Sequence, residues 1–296
     1  MIRNDNYNCL PFYSSINEQN HRKNYAYGDI YTLFAPNDRL LSFQLARPHV
    51  DTSVWDIQLV SMTDQDLNQT LTPEVVGASG WYVASNYYTD PVLGAMDIIV
   101  CAPYTAMSSI RMAEGRYYIT IDDGENQWWS DVFTVVNDLS NYLKVKWTNK
   151  TDIPLAGGKG AILYEGLGFT RWNTLYFATE LGKPEYPFEE EGESRDGYFF
   201  AEKQVSSKTY KAFITAPEYL CDCMRLIRLS DLVDVIDGYG REYPCDTFLS
   251  TPTWQEQGDI AEVAIEFTTG TVVKHIGHGW TRTGDYDTDD FNDDYN

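Results

Sequence analysis

Glu189, Glu190, Glu191, Glu193 and Asp196 are close enough along the chain to supply two carboxylates to one substrate. Glycoside hydrolysis needs such a pair, one acid kept protonated and the other ionised by different surroundings. Acids this crowded, between the Gly182-Lys-Pro and Gly197 breaks, are ordinarily solvated, so residues 182–197 are read as a charged loop. His275 and His278 sit three apart, a spacing that faces one way on a helix, but Gly277 and Gly279 argue against a helix and no acid or thiol lies at motif spacing. Asp285, Asp287, Asp289 and Asp293 fall at positions 1, 3, 5 and 9 of a calcium loop. Position 6 is Asp290 where the turn needs glycine, and position 12 is Asn296 where the bidentate glutamate belongs. Cys221 and Cys223, spaced C-x-C on an expected helix, are too close to bridge and lack two further zinc ligands in register. No nucleophile elbow, phosphate loop or dinucleotide fingerprint is present. The expectation is therefore a protein that is not an enzyme, with no catalytic residue, no metal site and no cofactor.

The elements that could position chemistry point to contact rather than reaction. Of 296 residues, 15% are aromatic, with 22 Tyr and 8 Trp, a composition suited to strands and contact surfaces. The formal charge is −22, which disfavours nucleic acid and an anionic membrane as partners. It is spread along the chain, since residues 281–296 hold six Asp and one Arg, a net −5. The first residues offer no apolar run behind Arg3, and no stretch reaches about 18 consecutive apolar residues, so neither export nor membrane spanning is expected. Five cysteines (9, 101, 221, 223 and 245) form an odd, sparse set that reads as reduced thiols rather than a disulfide frame.

The chain is organised around Gly115 to Trp147. Tyr117, Ile119 and Ile121 alternate with Tyr118, Thr120 and Asp122, Asp123-Gly124 supplies a hairpin turn, and Trp128 to Val136 returns. After the polar break Asn137 to Asn141, Leu143, Val145 and Trp147 alternate with Lys144 and Lys146 in a new strand. The spacing predicts a mainly β fold, with two β-sandwich-like (immunoglobulin-like) domains and extended arms at both ends. Residues 1–24 form an N-terminal arm, either disordered or packed on a neighbour. Residues 25–137 form a sandwich of about seven strands (29–34, 40–46, 54–60, 81–84, 96–102, 117–121 and 132–136), although a barrel has the same spacing. That domain is expected to melt cooperatively by itself, Val132 to Val136 closing its core. Residues 138–280 form a second β-rich domain with strands near 161–164, 174–177, 198–200, 209–214, 232–236, 243–249 and 259–267. Its one helix, near 216–229, is expected to start on a Thr215/Glu218 capping box, with Tyr219, Leu220, Cys223, Met224 and Ile227 on one face. Residues 281–296 form an acidic tail.

Five phrases carry a resemblance: Trp128-Trp-Ser-Asp-Val-Phe133, Tyr142-Leu-Lys-Val-Lys-Trp147, Gly182 to Phe200, Ala216-Pro-Glu-Tyr-Leu-Cys-Asp222 and Thr271-Val-Val-Lys-His-Ile276. Over residues 115–280 the chain resembles a family of virion proteins of Bacteroidetes bacteriophages and prophages, crAss-like phages among them, which lie among tail genes. The resemblance implies a structural component of the virion, made in the host cytoplasm and placed in a tail or collar ring or a baseplate. It implies other virion proteins as partners, with a homo-oligomeric ring of sixfold or twelvefold symmetry, and it transfers no active site. The interface candidates are the rings of the two arms (Tyr7, Phe12, Tyr13; Tyr286, Phe291, Tyr295) and the pair Trp128-Trp129. Both arms are expected to be mobile in the free protein and held by a neighbour in the particle. A carbohydrate- or receptor-binding tail module is the alternative, with the tryptophan pair stacking on sugar rings. An acid-loop hydrolase is a third.

Overall fold

The computed structural model describes residues 9–14, 33–49, 55–72, 81–90, 92, 94–101, 112–148, 153–154, 161–162, 172–195, 197–254 and 260–275. The first half contributes β1 (Phe12–Tyr13), β2 (Phe34–Pro36), β3 (Phe43–Pro48), β4 (Asp56–Ser61), β5 (Gln69–Thr70), β6 (Trp81–Asp90), β7 (Gly94–Cys101), β8 (Gly115–Asp122), β9 (Gln127–Ser130) and β10 (Phe133–Val136). The second half contributes β11 (Leu143–Thr148), β12 (Ile153–Pro154), β13 (Ala161–Ile162), β14 (Asn173–Phe177), β15 (Phe188–Arg195), β16 (Tyr198–Pro217), α1 (Glu218–Ile227), β17 (Leu232–Ile236), β18 (Glu242–Pro244), β19 (Thr247–Trp254) and β20 (Ile260–His275). Among the described residues the architecture is mainly β with sandwich-like layers and one short α-helix in the second half, the class read from the sequence.

Strand β8 is the axis of the first half. It pairs with β4 on one edge and with β9 and β10 on the other, while β1 and β2 extend the sheet beyond those two. Trp128 to Val136 is thus one return path broken at Asp131 and Val132. At the break, the Ser130 hydroxyl accepts from the Ile119 N–H at 2.8 Å and donates to the Asp131 carbonyl. The turn before it is held by Asp123, whose Oδ1 accepts from the N–H groups of Glu125 and Asn126, with Gly124 at a φ of +91° that favours glycine. A separate sheet, β3-β7-β6, covers one face. Ile57, Leu59, Ile119 and Ile121 from the first sheet share one apolar cluster with Phe43, Leu45, Ile99 and Cys101 from the second. No strand pairing joins the two sheets among the described residues, so this half is a sandwich and not a barrel.

The N-terminal segment corrects an expectation. Residues 9–13 are part of the core: Leu10 is 0% exposed, Cys9 and Phe12 are 2% exposed, and β1 pairs with β9. The Phe12 ring meets Phe43 edge-on at 5.3 Å, bridging the two sheets. Cys9 Sγ lies 2.8 Å from Cys223 Sγ on α1, and burial, then the contact with Cys223, pushes the Cys9 thiol well up. A fragment beginning at residue 25 lacks this edge strand, so the folding unit includes Cys9 to Tyr13.

Among the described residues no sheet mixes strands from before Asn137 with strands from after it, yet the side-chain core runs through both halves. In the second half, β14-β11-β17-β18 and β15-β16-β20-β19 share that core with α1. Tyr219, Leu220, Cys223, Met224 and Ile227 are all buried, as the periodicity predicts. The expected capping box does not form. Pro217 is the N-cap, without a side-chain cap bond, and Thr215 remains in β16, because that strand's pairing with β20 continues to Pro217. The stretch 243–249 is likewise two strands, β18 and β19, in different sheets.

The turn from β17 to β18 depends on Asp237. Its Oδ1 accepts from the Tyr239 and Arg241 N–H groups at 3.0 and 2.9 Å, and its Oδ2 from the Arg241 guanidinium at 2.7 Å and the Tyr243 hydroxyl at 3.1 Å. Burial pushes this carboxyl up, but those four donors outweigh it and hold it below the usual carboxylate range. The folded-state value is depressed, so the stabilisation is present above the unfolded carboxyl's range near pH 4 and fades as pH falls through the folded value. Asp237→Ala is expected to cost about 1–3 kcal/mol near neutral pH and progressively less below about pH 4, measured by denaturant titration across pH.

Candidate functional sites

Two features stand apart from core packing. One is a ribbon. Strand β16 is 20 residues long and β20 is 16, and they stay paired from Pro217–Ile260 to Lys203–His275. Strand β19 stops at Thr247, opposite Thr268, so β20 continues seven residues beyond it. At about 3.3 Å per residue the ribbon passes the end of β19 by about 23 Å. Its base is covered on one face by α1: Ala212, Ala216, Val263, Ile265 and Phe267 point inward, with Phe267 stacked on Tyr210 at 5.4 Å. Towards the tip, exposed apolar side chains appear: Phe188 (59%), Phe199 (53%), Val272 (64%) and Val273 (47%). Phe188 and Val272 flank Ser206 on one face, since both pair with it.

The acid run belongs to this ribbon. Residues 188–195 are edge strand β15 rather than loop, and Glu189, Glu190, Glu191 and Glu193 are all exposed on it. Gln204 Nε2 donates to Glu190 at 2.6 Å and Lys203 Nζ to Glu191 at 3.0 Å. Charges on an exposed edge strand oppose edge-to-edge pairing, which gives these glutamates a role without catalysis. The signal for the strand is Asp196-Gly197, a two-residue hairpin pair, and Gly197 takes the required positive φ of +85°.

The second feature is a cavity of about 150 Å³ where the loop around Arg39 to Ser42 closes over the outer face of the β14-β11-β17-β18 sheet. Leu143, Val145 and Trp147 of β11 point into the core, so Lys144 and Lys146 point out into the cavity, beside Thr174 and Tyr176 of the paired strand β14 and Trp172 just before it. Lys146 Nζ lies 4.5 Å from the Trp172 ring centre and pairs with Asp234 at 3.2 Å and Glu242 at 2.5 Å. Burial pulls Lys146 down, but its two carboxylates outweigh that and hold it up. Arg39 pairs with Asp38 at 3.2 Å. Lys144 differs: it lies 5.7 Å from the Tyr176 ring centre, and among the described residues no carboxylate is within ion-pair reach of it. Burial pulls the Lys144 ammonium down, and Arg39 and then Lys146 repel it further. Glu242 and Asp38 offset part of that repulsion, so the three cations of the cavity stand among three carboxylates, Asp38, Asp234 and Glu242. The two lysines on one strand face were legible in the sequence. Arg39, more than a hundred residues away, gave no signal.

The remaining sequence candidates are dispersed. Trp128 and Trp129 are half-buried, and as neighbours on β9 they point to opposite faces, so they cannot form one sugar-stacking platform. Trp128 packs on the core, while Trp129 is paired with Tyr13. Phe12 and Tyr13 are buried in their own chain and are not interface residues. Tyr7, Asp196, His278, Tyr286, Phe291, Tyr295 and the calcium-like acids lie outside the described residues. His275 is exposed at the ribbon tip. Among the described residues no three His, Cys, Asp or Glu side chains gather as a metal site, and no helix is long and apolar enough to cross a membrane.

No family model matches this chain, and no curated protein matches it. Among solved structures it is similar to the ZIG-8–RIG-5 IG1-IG1 heterodimer, at 14% identity and a TM-score of 0.17 over 40% of this chain and 98% of that one. It is also similar to Dpr2 Ig1-Ig2 in complex with DIP-Theta Ig1-Ig3, at 11% identity and a TM-score of 0.14 over 83% of this chain and 89% of that one. The sandwich layering is therefore taken from strand pairing and core packing alone.

Proposed function

We propose that this chain is a structural component of a bacteriophage virion, a tail or collar ring or baseplate protein that works by protein–protein assembly. The observation that carries the assembly reading is the ribbon tip. It exposes Phe188 and Val272 together on one face, with Val273 on the other face and Phe199 further along β16, apolar surface of the kind that association hides. The glutamates of β15 fit the same role, because they block indiscriminate pairing along the edge. The virion setting rests on the resemblance of residues 115–280 to phage tail-region proteins. Its partners are copies of itself in a ring and other virion proteins.

Phe188→Thr combined with Val272→Thr keeps strand propensity and removes apolar area from one face of the tip. The double variant is expected to keep its unfolding free energy within about 1 kcal/mol of the parent, because both sites are exposed surface. It is expected to remain monomeric by mass photometry where the parent forms closed oligomers. A parent that stays monomeric at every concentration, or a variant that assembles equally well, overturns the reading.

A further inference from the structure

We propose that Cys9 and Cys223 are a disulfide-forming pair, whose bond ties the N-terminal strand β1 to helix α1. The structure holds both as thiols, with their Sγ atoms 2.8 Å apart inside the core, where Cys9 is 2% and Cys223 3% exposed. A disulfide is about 2.0 Å long, so bonding asks for a closing movement of about 1 Å or less. Two further observations make this a site rather than a packing accident. Cys221, on the same helix, directs its Sγ to the Ala216 carbonyl at 3.9 Å, and Cys245 directs its own to the Tyr243 carbonyl at 3.5 Å, so neither competes for Cys9. Strand β1 is also only two residues long and meets β9 through the two ladder pairs Phe12–Ser130 and Tyr13–Trp129. A covalent link at Cys9 adds a tie to a second element, 214 residues away in the chain.

The bond forms by exchange with a small-molecule disulfide such as oxidised glutathione. One cysteine thiolate attacks it, which gives a mixed disulfide and releases one glutathione thiol; the second cysteine thiolate then attacks the protein sulfur, and the second glutathione leaves. The two cysteines lose two protons and two electrons, and the glutathione disulfide takes them up to become two thiols. Burial, then the contact with Cys223, pushes the Cys9 thiol well up, so the attacking thiolate is scarce once the core has closed over both sulfurs. Exchange therefore takes place before residues 9–13 dock, and the packing that follows shields the bond from reductant. The bond is buried and internal to one chain, whereas the assembly test alters the exposed Phe188 and Val272, so each proposal fails without the other.

The test refolds the reduced, full-length protein from denaturant in two arms, one with reduced and oxidised glutathione and one with excess dithiothreitol. Free thiols are then counted in denaturant, and peptides are mapped by mass spectrometry without reduction. The glutathione arm is expected to keep three of the five thiols free and to yield a Cys9–Cys223 cross-linked peptide pair. Its denaturant midpoint is expected to exceed that of the dithiothreitol arm, because a link across 214 residues restricts the unfolded chain, and the difference is expected to vanish in Cys9→Ala. Protein folded first and oxidised afterwards is expected to form the bond about tenfold or more slowly than protein oxidised while refolding. The peptide map is read on the unaltered chain, so it stays decisive if Cys9→Ala disturbs folding. Five free thiols after oxidative refolding, a cross-link between any other pair of cysteines, or equal midpoints in the two arms overturns the proposal.

Discussion

Leu10→Ala is expected to destabilise the whole chain by about 2–5 kcal/mol, read as a lower denaturant midpoint at unchanged slope. Leu10 is 0% exposed and lies in the same apolar cluster as Phe12, Phe43 and Cys223, so truncation leaves a cavity in that core. An arm residue that only touched a neighbouring subunit would change monomer stability by about 0.5 kcal/mol or less. The two outcomes are far enough apart for one titration to decide. Because the cluster is continuous across Asn137, the loss is expected in a single transition seen by every probe rather than in a partial one limited to the first half.

Phe267→Ala is expected to cost about 3–5 kcal/mol, the largest effect of any ribbon substitution. Phe267 is 0% exposed on β20, stacked on Tyr210 and packed at 6.2 Å from Tyr243 of the neighbouring sheet. It therefore fixes the ribbon base to the β17-β18 hairpin as well as filling space. Phe213→Ala, three ladder positions along β16 from Tyr210 but on the opposite, 69% exposed face, is the control and is expected to change stability by about 0.5 kcal/mol or less. Hydrogen exchange after Phe267→Ala is expected to speed up from Lys203 to Ser206 and from Val272 to His275, because the tip is anchored only through its base. Unchanged exchange there, with full loss of stability elsewhere, would show that the tip is held independently.

The parts of the fold that the sequence made legible are those where one face is buried and the other wet. The alternation of Tyr117, Ile119 and Ile121, the Asp123-Gly124 turn and the α1 face all follow a period that burial imposes. The ribbon was not legible because its distal half buries neither face: no residue of β16 from Ala201 to Lys208 is buried. Between Ala201 and Lys208 no face needs apolar residues, so the period of two disappears and a single strand from Tyr198 to Pro217 reads as two fragments separated by a loop. The acid run was misread for the same reason, since a solvated edge strand and a solvated loop carry the same side chains.

By itself, then, the sequence determined the class of fold, the central hairpin, helix α1 with its buried face and the pair of outward lysines on β11, because each is a local pattern of burial or turn chemistry. Tertiary structure alone decided that residues 9–13 are core, that Trp128 and Trp129 face apart, and that Arg39 closes a cavity over Lys144. Those three depend on contacts between residues that are distant in the chain. Which side chain covers another across such a distance is set by how sheets stack, and one strand's pattern of polar and apolar residues carries no record of its partner.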